Sequence, residues 1–172
     1  DFYVSGILCD RTSSTLIRGN DFSRPARTVN AATIYGIYFT GLNTRALADG
    51  NRVHALFGGN VASTNAATPI YFDNADALAG LENKVINNAI YDIRSNGIIY
   101  AIYNNGSDNV QFYHNTISLD DLASTGTGAT CAFLQNNQAA GIEFKNNLVT
   151  LRRGGTGSVY GLYFLTAASS IT

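Results

Sequence analysis

Ile34-Tyr35-Gly36-Ile37-Tyr38-Phe39 returns as Ile99-Tyr100-Ala101-Ile102-Tyr103-Asn104 and again as Val159-Tyr160-Gly161-Leu162-Tyr163-Phe164. Weaker copies are Ala67-Thr68-Pro69-Ile70-Tyr71-Phe72 and Thr130-Cys131-Ala132-Phe133-Leu134-Gln135, and Val4-Ser5-Gly6-Ile7-Leu8-Cys9 fits the same frame. The central apolar residue falls at 7, 37, 70, 102, 133 and 162, in steps of 30, 33, 32, 31 and 29 residues. A step this regular marks a repeat architecture.

A second signature lies between the copies: a short β-like run, an Asn, then another apolar pair. Phe112-Tyr113-His114-Asn115-Thr116-Ile117 matches Phe144-Lys145-Asn146-Asn147-Leu148-Val149 and Val85-Ile86-Asn87-Asn88-Ala89-Ile90. Looser versions contain Asn20 before Phe22 and Asn60 before Val61. Each unit therefore reads as strand, turn, strand, Asn turn, strand, variable loop. Period-two alternation, β-branched and aromatic residues, and frequent Gly and Asn exclude a helical reading. A propeller blade needs about 40 residues or more, and the leucine-rich frame does not occur. The sequence predicts an all-β chain, a right-handed parallel β-helix solenoid of about six rungs of roughly 31 residues, with 1–172 as one domain.

With these two signatures the chain resembles the pectate-lyase-like β-helix superfamily, in its bacterial repeat form. The resemblance rests on packing residues, so it speaks to the fold. It implies a protein from a group that includes polysaccharide lyases, glycoside hydrolases, binding proteins and surface adhesins, and an extracellular or cell-surface location in a bacterium.

Hydrophobic residues make up 45% of the 172 and charged residues 13%, with a formal net charge of −1. A typical surface carries about twice that share of charge. The polar surface must come from Asn, Thr, Ser, Gly and Tyr, which suits neutral partners such as glycans. Nucleic acid would require clustered Lys and Arg. No apolar run reaches about 18 residues, so no membrane insertion is expected. The chain begins at Asp1 without an initiator Met and reads as a mature product or a piece of a longer protein.

Stacked rungs place equivalent residues about 4.8 Å apart. The column Ile7, Ile37, Ile70, Ile102, Phe133 and Leu162 is assigned to the interior. By alternation the next column, Leu8, Tyr38, Tyr71, Tyr103, Leu134 and Tyr163, points outward. The preceding small column of Gly6, Gly36, Pro69, Ala101, Ala132 and Gly161 is expected to share that outer face and leave the rings accessible. Asn at tight bends tolerates left-handed backbone, and stacked amides form ladders. Cys9 and Cys131 fall four rungs apart, about 19 Å, too far for a disulfide.

Enzymes on this scaffold need outer-face carboxylates. Asp120-Asp121 is the adjacent acidic pair. In the repeat frame Asp121 aligns with Arg94 and Arg153, and Asp120 with Arg152, which predicts cross-rung ion pairs; the two aspartates are also the candidates for catalysis. Asp73 and Asp76 are the candidates for calcium, although a polar turn explains them. His54 and His114 have no partner at metal-ligand spacing, and no other cofactor is implied. The leading functional expectation is a non-catalytic extracellular β-helix module that is either carbohydrate-binding or adhesive and structural, a purely structural spacer being the plain alternative. Its ligand face would be Tyr38, Tyr71, Tyr103 and Tyr163, with Asn104 and Asn105 as orienting contacts. The alternative is a polysaccharide lyase or glycoside hydrolase. The open ends of the coil predict end-to-end self-association.

Overall fold

The computed structural model describes residues 1–166 and 171. The first turn of chain holds β1 (Ser5–Asp10), β2 (Leu16–Arg18) and β3 (Asp21–Ser23). The second holds β4 (Thr33–Thr40), β5 (Leu47–Asp49) and β6 (Arg52–His54), and the third β7 (Ala66–Asp73), β8 (Asn83–Ile86) and β9 (Ala89–Tyr91). The fourth holds β10 (Ile99–Asn105), β11 (Val110–Tyr113) and β12 (Thr116–Leu119). The fifth holds β13 (Thr130–Gln135), β14 (Glu143–Lys145) and β15 (Leu148–Leu151), and β16 (Val159–Phe164) follows. Every pairing is parallel and joins a strand to its equivalent one turn on. The result is a three-faced parallel β-helix: one sheet of six strands, β1-β4-β7-β10-β13-β16, and two of five. The first sheet matches the six copies of the motif. The other two show that complete turns number about five rather than six.

The register follows the repeat residue for residue. Ile7, Ile37, Ile70, Ile102, Phe133 and Leu162 are successive partners, and the middle four are wholly buried. The second sheet adds Ile17, Ala48, Val85, Phe112 and Phe144 to the interior. The third adds Phe22, Val53, Ile90, Ile117 and Val149.

The small column corrects the sequence reading, because it faces inward. A Cβ on Gly36 would lie 2.6 Å from Val53 Cγ1, one on Gly6 would lie 2.5 Å from the Phe22 ring, and Ala101 and Ala132 are wholly buried. Alternation breaks here: Gly36 and Ile37 both point inward, and Tyr35 and Tyr38, three residues apart, both point out. The pairing of β4 with β7 passes from Tyr35↔Thr68 to Ile37↔Ile70, leaving out Gly36 and Pro69. A proline, which lacks an N–H, is tolerated where the ladder is interrupted. Small residues fit because the third-sheet column crowds this position from inside.

A third inward column runs Cys9, Phe39, Phe72, Asn104, Gln135 and Phe164. Phe39 and Phe72 stack at 4.5 Å. Asn104 Nδ2 donates to Gln135 Oε1 at 3.0 Å and to the Ser107 carbonyl at 2.9 Å, both inside the core. This satisfies polar groups that burial would otherwise penalise.

The Asn ladder runs Asn20, Asn51, Asn88, Asn115, Asn147. Each Oδ1 accepts from the backbone N–H and from Nδ2 of the preceding member at 2.9–3.0 Å. From Asn51 onward each Nδ2 also donates to a backbone carbonyl: Ile17, Ala48, Val85 and Phe112 in turn. Asn51 takes the place the sequence reading gave to Asn60, which sits in a loop and donates to Thr28 O. The left-handed residue is the one before each ladder Asn: Gly19, Gly50, Asn87, His114 and Asn146. The bend and the amide ladder are thus divided between two neighbouring residues.

Cys9 and Cys131 are both free and buried, as the rung assignment requires. Among the described residues no helix is long and apolar enough to cross a membrane.

Candidate functional site

The first sheet's outer face carries the predicted tyrosine ladder in register: Tyr38↔Tyr71↔Tyr103↔Leu134↔Tyr163. Ring centroids of Tyr38 and Tyr71, and of Tyr71 and Tyr103, lie 4.9 Å apart. Tyr35 stacks on Tyr71 at 5.3 Å. Tyr71 is consequently only 9% exposed although it points away from the core. The rings pack against one another instead of lying open as a flat platform. Leu134 is likewise buried, and Tyr163 stacks on Tyr160 at 4.5 Å on the last strand.

A polar network closes one end of this face. Tyr38 donates its hydroxyl to Asp73 at 3.1 Å, and Asn105 donates to the same carboxylate at 2.8 Å. Asn74 also donates to Asp73, and Asn136 and Asn137 donate to Asn105 Oδ1. Burial first, and the Asp73 charge second, push the Tyr71 phenol far above its ordinary range. Tyr38 and Tyr103 are raised by the same leading cause. Asn105 lies on this face, held by Tyr71, Asp73, Asn136 and Asn137. Asn104 does not: its amide is turned into the core.

A second outward column lies three residues upstream: Ser5, Tyr35, Thr68, Tyr100, Cys131, Tyr160. Strict alternation from Ile37 places Tyr35 inside, and so the sequence reading missed this column. Its signal was the Tyr-x-x-Tyr spacing in three copies of the motif. Thr68 interrupts the column between Tyr35 and Tyr100, and a cleft of about 150 Å³ opens above it. Tyr71 and Tyr103 line one end, with Thr33, Ala66 and Ile98 at the other.

Asp120 and Asp121 lie elsewhere, at the corner between the third sheet and the first. The predicted pairs with Arg152 and Arg153 do not form among the described residues. Arg94 pairs instead with Asp92, two residues earlier in the chain, at 2.5 Å. Arg153 turns inward, donating to the carbonyls of Ser95, Gly97 and Gly128 and to Thr130 Oγ1, which ties three turns together. Desolvation lowers its pKa, against the opposing pull of Asp121. Asp92, Asp120 and Asp121 thus share with Arg94 a groove of about 350 Å³. Cross-rung ion pairs occur on other faces, between Arg18 and Asp49 and between Arg52 and Asp21, each at 2.9 Å.

Asp73 and Asp76 are engaged by protein donors, Asp76 through the Asp108 backbone N–H at 3.0 Å. Among the described residues no three His, Cys, Asp or Glu side chains gather as a metal site would require. His54 stacks on Tyr91 at 4.8 Å and meets Asp21 at 2.8 Å, while His114 supplies one of the left-handed bends. Arg24, which the sequence reading did not single out, is wholly buried and donates to the carbonyls of Phe2, Leu56 and Val29.

Against known proteins, no family model matches the chain, and neither does any curated protein or any solved structure.

Proposed function

We propose that this chain is a non-catalytic carbohydrate-binding module of the extracellular or cell-surface kind, with the outer face of the first sheet as its binding face. The observation that carries the reading is the tyrosine array on that face, bounded by the neutral amides of Asn105, Asn136 and Asn137. Tyrosine offers apolar area to sugar C–H groups and a hydroxyl to sugar oxygens. The low charge of the chain suits an uncharged glycan, and binding should change little with salt. The test is a glycan array read with the intact chain and with Tyr103→Ala. Retention by the wild type and loss in the variant support the reading. Absence of any bound neutral glycan, or binding unaffected by the variant, refutes it.

A second reading, a glycoside hydrolase or lyase, draws on the groove shared by Asp92, Asp120, Asp121 and Arg94. Paired carboxylates are the working groups of glycoside hydrolysis. Release of reducing ends or unsaturated products, abolished in Asp120→Asn or Asp121→Asn, would favour it over the first.

A further inference from the structure

The interruption of the second ring column at Thr68 leaves a cleft in an otherwise self-packed tyrosine face. We infer that this slot is the glycan contact itself, and that it takes one terminal pyranose ring of a neutral glycan, seated among Tyr35, Tyr71, Tyr100 and Tyr103. The inference rests on the carbohydrate-binding reading and moves its centre from Tyr38 and Tyr71 to the slot.

Tyr35 and Tyr100 occupy the same column two strands apart, with Thr68 between them. Tyr35 stacks on Tyr71 at 5.3 Å, so the opening is lined by that pair together with Tyr100 and Tyr103. Its volume is about 150 Å³. An engineered cavity of about that size accepts a benzene-sized guest. Longer stretches of glycan find no equivalent surface along the axis, because Tyr71 is sandwiched by Tyr38 and Tyr103. Recognition is therefore of a chain end, by one residue.

The lining chemistry selects the occupant. No charged residue lines the slot. Tyrosine rings line it together with the side chains of Thr68 and Thr33. A pyranose uses both features, its C–H faces against the rings and its hydroxyls on the threonines. A proline ring of a peptide fits the same walls but leaves the hydroxyls without partners, which costs affinity where they are shielded from water.

The experiment uses the intact chain and glycans of one, two and four residues that share a non-reducing terminal sugar, chosen from the array positives. Calorimetric affinities should agree within about twofold across the three lengths. Thr68→Tyr, which completes the ring column, should weaken binding at least tenfold while the thermal midpoint holds or rises. If that variant does not fold, Thr68→Val, close in shape but lacking the hydroxyl, should weaken binding about tenfold. Affinity that climbs with each added residue, or binding that survives in the folded variants, overturns the slot and leaves the broader carbohydrate reading standing. Binding of a proline-rich peptide in place of any glycan overturns both, as does failure of every glycan to bind.

Discussion

Asn88 stands at the centre of the amide ladder, and its replacement by Ala has a cost that can be worked from its partners. Its Oδ1 accepts from the Asn51 backbone N–H and from Asn51 Nδ2, both at 2.9 Å, and its Nδ2 donates to the Ala48 carbonyl at 3.0 Å. Asn51 and Ala48 are buried, so truncation strands two donors and one acceptor away from water. An unsatisfied buried group costs about 1–3 kcal/mol. The Asn115 Oδ1 keeps one donor, the Asn88 backbone N–H. The loss should be about 3–9 kcal/mol, a large part of the roughly 5–15 kcal/mol that stabilises a domain. For a urea slope near 2 kcal/mol/M the midpoint should fall by about 1.5–4.5 M. Asn147, half-buried and last in the ladder, is the internal control. Asn147 itself borders solvent, so water can enter the space its amide leaves beside Asn115 and Phe112, and Asn147→Ala should cost at most half as much. Asn88→Asp keeps the shape but turns an oxygen toward two acceptors, Ala48 O and Asn115 Oδ1. Burial raises such a carboxyl above its ordinary value of about 3.9. Its contribution to stability is present below that value and lost as pH rises through the raised one, so this variant should lie closer to wild type at pH 4 than at pH 7. Urea melts by circular dichroism read all three variants. An Asn88→Ala cost under about 1 kcal/mol, or one equal to Asn147→Ala, would refute the ladder as a principal support of the fold.

Alkaline pH should loosen the solenoid. Burial raises the Cys131 thiol to about 11, and burial with Glu143 pushes the Tyr113 phenol up to about 12; burial raises Tyr71 further. Stability from each raised group is full below its unfolded value, about 8.5 for Cys and 10 for Tyr, and is lost through the folded one. Thermal midpoints should therefore decline from about pH 9 to 12, and a flat profile would count against these environments. Gly36→Ala places a Cβ 2.6 Å from both Pro69 O and Val53 Cγ1, whereas a Cβ at Gly161 meets nothing within 4 Å. Calorimetry should show a loss of about 1–3 kcal/mol for the first and within about 0.5 kcal/mol for the second. The edge strand β16 exposes Leu162 and Phe164, with Leu165 exposed just after it, so sedimentation should reveal concentration-dependent association. Leu162→Lys should suppress it, and a monomer at every concentration would remove the expectation.

The Ile37 column was legible because six copies carry a large aliphatic or aromatic residue at one step. The direction of Gly36 was not, since alternation is a local rule and the adjacent inward pair Gly36 and Ile37 breaks it opposite Val53. That one break also hid Tyr35 and Tyr100, and with them the cleft. Asn88, Asn115 and Asn147 were legible from their shared flanks, whereas Asn51 was masked by Gly50-Asn51 in place of a paired Asn. The aspartates at 120 and 121 were correctly aligned with arginines, yet alignment does not decide partners. Arg94 has a carboxylate two residues away in its own chain segment, and Arg153 reaches backbone carbonyls of the two preceding turns.

Repeated turns carry a hazard that the Asn104–Gln135 amide pair counters. Turns built on one pattern are nearly interchangeable, so a folding chain could skip a turn and still bury Ile beside Ile. Along the Cys9 to Phe164 column the turns differ: stacked rings at Phe39 and Phe72, then two amides that bond to each other. Were β13 to dock on β7, with the fourth turn looped out, Gln135 would lie against Phe72. Its Oε1 would lose the Asn104 donor, and a buried polar atom without a partner costs a few kcal/mol. The amide pair thus acts as an address within the coil, letting assembly reject a skipped turn that the aliphatic column alone would accept.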